Sequence, residues 1–202
     1  MILAIDTSTA ACTAALFDGG GDCIARADEV IGRGHAERLV PMIAELLDGR
    51  RADSILVGVG PGSFTGIRVG IAAARGMAIG WGVEAKGMAS LALLAVGADA
   101  DGAIAAALEG GHGELFVQQF NAALAPQTPL LNLSPEAAAA EISSDLVIGP
   151  GAARLVEARG WGTALDALPA AADALRLPAL HRQLGPKPVY ARAPDARVRS
   201  AA

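Results

Sequence analysis

Cysteine, aromatic residues and histidine are scarce in this chain of 202 residues, which holds two Cys, one Tyr, two Trp, four Phe and three His. Two cysteines, Cys12 and Cys23, do not make a disulfide-stapled scaffold. If residues 14–17 and 23–27 pair across the Asp18-Gly19-Gly20-Gly21-Asp22 turn, Cys23 falls beside Phe17 and away from Cys12, so no bridge between them is expected. His35, His112 and His181 stand apart from one another and from both thiols, and no C-x-x-C or H-x-x-x-H spacing exists to hold a metal. No apolar run approaches the ~20 residues a membrane-spanning helix needs. The opening Met1-Ile2-Leu3-Ala4-Ile5 has neither a basic stretch nor a small-residue cleavage site, so no signal peptide and a cytoplasmic location are expected. Positive charge is in the minority: 16 Lys and Arg against 21 Asp and Glu leave a net charge of −5. That balance disfavours a stand-alone nucleic-acid binder, because neutralising phosphates needs a basic surface. The local exception is Arg182, Lys187, Arg192, Arg197 and Arg199 against Asp195, which reads as a solvated basic tail.

What is present is a chain 52% hydrophobic and rich in Ala and Gly, long enough for two lobes of roughly 100 residues, each with a core of its own. Residues 2–5, 13–17 and 24–30 read as three strands separated by a polar turn and a glycine-rich turn. Over residues 35–48, Ala36, Leu39, Val40, Ile43, Leu46 and Leu47 recur at helical spacing, with Pro41 either in the first turn or kinking the helix. A strand at 55–59, a Gly60-Pro61-Gly62-Ser63 turn, a helix over 64–81 capped by Ser63 or Thr65, a short strand at 83–86 and a helix at 89–96 complete the order βββαβα within residues 1–97. A reduced second copy is expected in residues 98–202. Its strands fall at 103–108, 115–120 and 146–148, its helices start at Ser134 and Gly151, and a last helical stretch at 169–184 is broken at Pro178.

Asp6, Thr7 and Ser8 lie where the first strand turns back. Their hydroxyls and amides either face a phosphate or satisfy the turn's own backbone. The segment Gly58-Val59-Gly60-Pro61-Gly62-Ser63-Phe64-Thr65-Gly66 feeds a strand into a helix N-terminus, where free amides attract anions. Gly60, Gly62, Ser63 and Thr65 thereby join Asp6, Thr7 and Ser8 as candidate phosphate-facing residues, the alternative being a tight strand-to-helix turn. Neither nucleotide fingerprint fits: Ile67 follows Gly66 where a Walker loop needs Lys, and Thr65 stands where G-x-G-x-x-G needs its last glycine. The helix that follows is apolar almost all round. Ile67, Ile71, Ala74, Ala78 and Trp81 form a bulky face, Val69, Gly70, Ala73, Gly76, Met77 and Gly80 a small one, and Arg68 and Arg75 a polar stripe. Interior glycines cost ~1 kcal/mol each relative to Ala, so something packs closely on the small face, either a neighbouring helix of this chain or a partner's. Leu39, Ile43 and Leu46 join that face as candidate partner-interface residues.

Ile2 to Thr9, Gly32-Arg33-Gly34-His35-Ala36-Glu37-Arg38-Leu39-Val40-Pro41 and Gly60-Pro61-Gly62-Ser63-Phe64-Thr65-Gly66-Ile67-Arg68 resemble, in this order, the TsaB (YeaZ) family, and the likeness returns at Pro188-Val189-Tyr190-Ala191-Arg192-Ala193-Pro194-Asp195-Ala196. The resemblance implies an α/β actin-like/Hsp70-like (ASKHA) fold of two lobes, 1–97 and 98–202. It also implies a place in making threonylcarbamoyladenosine in tRNA. The related catalytic subunit TsaD holds its metal with H-x-x-x-H. The matching positions here read Ser90-Leu91-Ala92-Leu93-Leu94, so the resemblance implies no catalytic residue, no metal and no cofactor. It implies instead a scaffold pairing with TsaD through first-lobe helices, joined by the ATPase TsaE, touching tRNA only through the complex, with a homodimer possible when alone. Where many relatives carry Asp-Ala-Arg in the second lobe, this chain has Leu108-Glu109-Gly110-Gly111, and weak or absent nucleotide binding is expected. The alternatives are a small-molecule kinase or ATPase of the actin-like superfamily, which lacks a second phosphate hairpin, and a glycoprotease-type hydrolase, which lacks metal ligands.

Overall fold

The structure, a computed structural model, describes residues 1–191; Arg192, Arg197 and Arg199 of the expected basic tail lie outside the described residues. The first half contains β1 (Ile2–Asp6), β2 (Ala11–Phe17), β3 (Cys23–Val30), α1 (His35–Leu47), β4 (Ser54–Gly58), α2 (Phe64–Trp81), β5 (Glu84–Met88) and α3 (Ser90–Val96). The second contains β6 (Ile104–Glu109), β7 (Leu115–Phe120), β8 (Leu131–Leu133), α4 (Pro135–Glu141), β9 (Leu146–Ile148), α5 (Ala152–Arg159) and β10 (Thr163–Leu165). The sheets run β3-β2-β1-β4-β5 and β10-β9-β6-β7-β8. Counted from β1 and from β6 these are the same order, with the same senses: two antiparallel pairings on one side, two parallel on the other. The expected duplication is present, and the second copy is the reduced one. Its β8 and β10 went unread in the sequence because each has three residues, none of them buried, and so lacks the run of buried apolar residues that marks the equally short β9.

The central strands are apolar runs because both their faces are covered. On one face, Leu3, Ile5 and Val57 pack with Leu39, Met42 and Ile43 of α1 and Ile67, Ile71 and Ala74 of α2. On the other, Ala4, Ala15, Phe17 and Leu56 meet α3, and the same cluster continues into Ile104, Ala106, Leu108 and Phe120 of the second sheet. Helix α3 is buried from Ser90 to Ala95. An all-apolar helix of this kind is a joint between two layers, and burying Leu91, Leu93 and Leu94 stabilises it by roughly 1.5–3 kcal/mol each. Edge strand β3 alternates exposed and half-buried positions, as a strand with one wet face does. Cys23 sits opposite Phe17 in the β2–β3 register, and both cysteines are free. Pro41 lies inside α1 on its exposed side, where the missing N–H faces water.

The last stretch departs from a single broken helix. It forms a 3₁₀ turn (Ala171–Arg176) and a short α6 (Ala179–Arg182). Between them Leu177 is extended (φ −63°, ψ 134°), as a residue before proline must be. The segment returns to the first sheet: Ala171 N donates to Thr13 Oγ1 (2.8 Å), Gly87 and Leu184 exchange backbone bonds of 2.7 and 3.0 Å, and Val189 N donates to Val59 O (2.8 Å). Grouped by sequence with the second lobe, it serves as a strap on the first. Among the described residues no helix is long and apolar enough to cross a membrane.

Candidate functional site

β1 ends at Asp6, which is fully buried. Its Oδ1 accepts from Ser8 N (2.7 Å) and Ser8 Oγ (2.6 Å), and its Oδ2 from Ser90 Oγ (2.8 Å). Burial pushes the Asp6 carboxyl above the ordinary aspartate value, against the Ser8 and Ser90 bonds that favour the charged form. Ser90 Oγ also accepts from Gly60 N (3.2 Å), and Ser90 N donates to Gly60 O (3.1 Å). One serine thus ties together the β1–β2 turn, the glycine-rich turn and the start of α3.

The glycine-rich turn lies directly on the β1–β2 turn. Thr7 Oγ1 donates to Gly66 O (2.7 Å), and Ser63 N donates to Ser8 O (2.7 Å). A Cβ on Gly62 would stand 2.1 Å from Ser8 O, on Gly66 2.0 Å from Thr7 O, on Gly70 2.5 Å from Thr7 Oγ1, and on Gly58 1.9 Å from Asp6 Oδ2. These glycines bring α2 and β4 into contact with the first turn. Of the two readings of Asp6, Thr7 and Ser8, the contacts made are those of a turn satisfying its own neighbourhood: all three are buried, Ser8 bonds to Asp6, and Thr7 and Ser8 bond to the glycine-rich turn and the helix after it. The atoms at these approaches are the Asp6 carboxylate, the Thr7 hydroxyl and the carbonyls of Thr7 and Ser8. Ser63 and Thr65 are exposed, but the Ser63 hydroxyl caps Gly66 N (3.1 Å) in the manner expected of an N-cap. Asp6, Thr7, Ser8, Gly60 and Gly62 come together as a packed joint, with Ser63 and Thr65 at its exposed rim.

The TsaD family model, tRNA N6-adenosine threonylcarbamoyltransferase, matches residues 28–126. The tRNA threonylcarbamoyladenosine biosynthesis protein TsaB of Escherichia coli is 35% identical over 127 residues, covering 59% of this chain and 54% of that protein. The protein of the same name from Haemophilus influenzae is 43% identical over 84 residues, 39% of this chain and 35% of its own length. The chain therefore spans about half or less of these two curated relatives. An uncharacterized protein of Mycobacterium tuberculosis is 30% identical across 97% of this chain and 93% of its own. Among solved structures, YeaZ from Pseudomonas aeruginosa matches with a TM-score of 0.79 at 31% identity, over 94% of this chain and 98% of that one. The chain belongs to the TsaB (YeaZ) family. Its two five-stranded sheets are the two lobes of the actin-like fold.

In this TsaB-family chain Ser90 and Leu94, the positions that the resemblance sets against the H-x-x-x-H of TsaD, are both engaged in packing. Ser90 is buried on Asp6 and Gly60, as described. Leu94 fills the space beside Gly149, where a Cβ would stand 2.6 Å from Leu94 Cδ2 and 2.4 Å from Ala107 O. Among the described residues no group of three or more His, Cys, Asp or Glu is placed to hold a metal ion.

The candidate interface residues divide. Leu39, Ile43 and Leu46 are corrected: they point into the first lobe's own core, because α1 has a single apolar face and the sheet needs it. Gly70 is buried against Thr7 and Val57. Val69, Ala73 and Met77 are half-buried at the edge of that core, while Gly76 and Gly80 are exposed, with nothing within 4 Å of an added Cβ. Ile79, between them in α2, is 84% exposed, and Val40 of α1 is 58% exposed. Ile79 was missed in the sequence although its signal was there, a bulky apolar residue on the Arg68 and Arg75 stripe. Also missed was Gly149-Pro150-Gly151, which leads β9 into α5 as Gly60-Pro61-Gly62 leads β4 into α2. At the β6–β7 turn that follows Glu109-Gly110-Gly111, Arg154 of α5 donates to Gly113 O (2.6 Å).

Proposed function

We propose that this chain is a non-catalytic scaffold subunit that binds TsaD and supports threonylcarbamoylation of the adenosine beside the tRNA anticodon. The observation that carries this reading is the pair Ser90 and Leu94. A hydroxyl committed to Asp6 and an isobutyl group packed on Gly149 supply neither metal ligand nor general base, so the chain contributes a surface instead of chemistry. That surface is the exposed side of α2, with Gly76, Ile79 and Gly80 at its centre and Val69, Ala73 and Met77 at its margin, and α1, which packs on α2, carries the exposed Val40. Large apolar side chains left in water next to glycines that let a second backbone approach are the features of a helix-on-helix contact. TsaE joins the assembled pair, tRNA is met through the complex, and the same face serves a homodimer when TsaD is absent.

The test is association with TsaD, measured alongside thermal melting of the isolated variant. Ile79→Asp and Ala73→Leu should weaken binding by up to roughly a hundredfold, through a buried charge in the first case and overpacking in the second. Melting of Ile79→Asp should stay near wild type, since that side chain is mostly in water. If Ile79→Asp binds TsaD as tightly as the parent, the contact lies elsewhere. Magnesium-dependent ATP turnover by the pure chain would favour the kinase alternative.

A further inference from the structure

Tyrosine occurs once in this chain and phenylalanine four times, yet Tyr190 and Phe64 stand at the surface, 52% and 58% exposed. Their rings stack, with centroids 5.8 Å apart and planes 30° apart. Arg68, one turn along α2, places its guanidinium carbon 4.8 Å from the centre of the Phe64 ring. The backbone holds this cluster in place: Val189 N donates to Val59 O, and Val189 O sits 3.2 Å from where a Cβ of Gly60 would be. The rings are therefore positioned without being buried.

Charge points to the kind of ligand. The chain as a whole is acidic, but residues 54–83 contain no Asp or Glu while carrying Arg68 and Arg75, and residues 177–191 contain none while carrying Arg182 and Lys187. These two carboxylate-free stretches meet at Phe64 and Tyr190. Exposed rings and a guanidinium on a ring face, carried on stretches that hold no carboxylate of their own, make the combination that holds unpaired bases of RNA, through stacking that tolerates any base and cations that attract phosphate.

We infer that Phe64, Arg68 and Tyr190 form a stacking platform for an unpaired base of the tRNA that the complex modifies. The inference rests on the proposed role beside TsaD and adds to it a direct RNA contact of this chain. It also fits the net charge, because a single platform on an acidic protein binds RNA appreciably only when the partner supplies the rest of the contact. Phe64 and Ile79 are separated by about 22 Å of helix rise, so TsaD and RNA can occupy α2 together.

The test uses the chain assembled with TsaD and an unmodified tRNA transcript. Phe64→Ala with Tyr190→Ala should weaken tRNA binding about tenfold or more, Arg68→Glu should weaken it as well, and Tyr190→Phe, which keeps a ring, should bind like the parent. TsaD association and melting should not change, since all three side chains are exposed. Binding of tRNA by the double variant within twofold of the parent overturns the platform and leaves the scaffold reading standing. Loss of TsaD association in the double variant also overturns it, and makes the cluster a protein contact. A parent complex that retains no tRNA overturns the platform together with the tRNA role.

Discussion

The two lobes carry the same strand order and the same Gly-Pro-Gly turn between a parallel strand and the helix that follows, and they use that turn differently. In the first lobe Gly60-Pro61-Gly62 folds over the β1–β2 turn, taking a hydrogen bond from Ser63 N to Ser8 O and sealing Asp6 beneath it. In the second, Gly149-Pro150-Gly151 leans on the middle of β6 through Gly151 N to Ala107 O (3.0 Å), and the β6–β7 turn at Gly111–Gly113 stays exposed. The first turns of the two lobes thus differ. Here one is closed by its own neighbours and the other is open. A shared topology therefore does not reproduce a site: the side chains and the glycines at each approach decide whether a cradle or a joint results.

The largest expected effect sharpens that contrast. Gly62→Ala puts a methyl 2.1 Å from the Ser8 carbonyl at a φ of 146°, whereas Gly151→Ala meets first the flexible end of Leu115 at 2.9 Å, at an ordinary φ of −86°. Gly62→Ala should cost at least ~3 kcal/mol, lowering the melting temperature by roughly 6 to 12 °C. Gly151→Ala should cost ~1 kcal/mol. Equal losses in thermal melting would break the contrast between the sealed turn and the exposed one.

A second test reads the sealed carboxylate through pH. The folded pKa of Asp6 is raised above its unfolded value, so its favourable contribution is full below the ordinary aspartate pKa and is lost as pH rises through the raised one. Asp6→Asn removes the proton. Its melting temperature should therefore fall less than that of the parent as pH rises from about 4 toward neutrality. Parallel pH profiles for the two proteins would mean that water reaches Asp6 and that the joint is open in solution.

The smallest effect separates closed from exposed glycines within α2. Gly76 has nothing within 4 Å of an added Cβ, so Gly76→Ala should stabilise the isolated chain by ~1 kcal/mol through helix propensity, raising the melting temperature by about 2 to 4 °C. The same methyl should weaken TsaD association if backbones meet there. A gain in melting with unchanged association would move the contact away from Gly76.

By itself the sequence determined the βββαβα order of the first half, the placing of Cys23 beside Phe17 and a hydroxyl cap at Ser63 or Thr65, because each follows from local periodicity or from residue identity. The sequence pattern also marked the turn at Asp6, Thr7 and Ser8 and the turn at Gly60 to Thr65 as belonging together. Only the tertiary structure decided that they close on each other, since the deciding distances run between residues more than fifty apart and are set by which glycines lack a Cβ. The same holds for Leu39, Ile43 and Leu46. Helical spacing shows that they share a face, but whether the face meets its own sheet or another chain depends on what covers it. The pairing of Tyr190 with Phe64 needed the C-terminal strap to return to the first lobe, and no local pattern encodes that return, because it is fixed by backbone bonds from Leu184 to Gly87 and from Val189 to Val59.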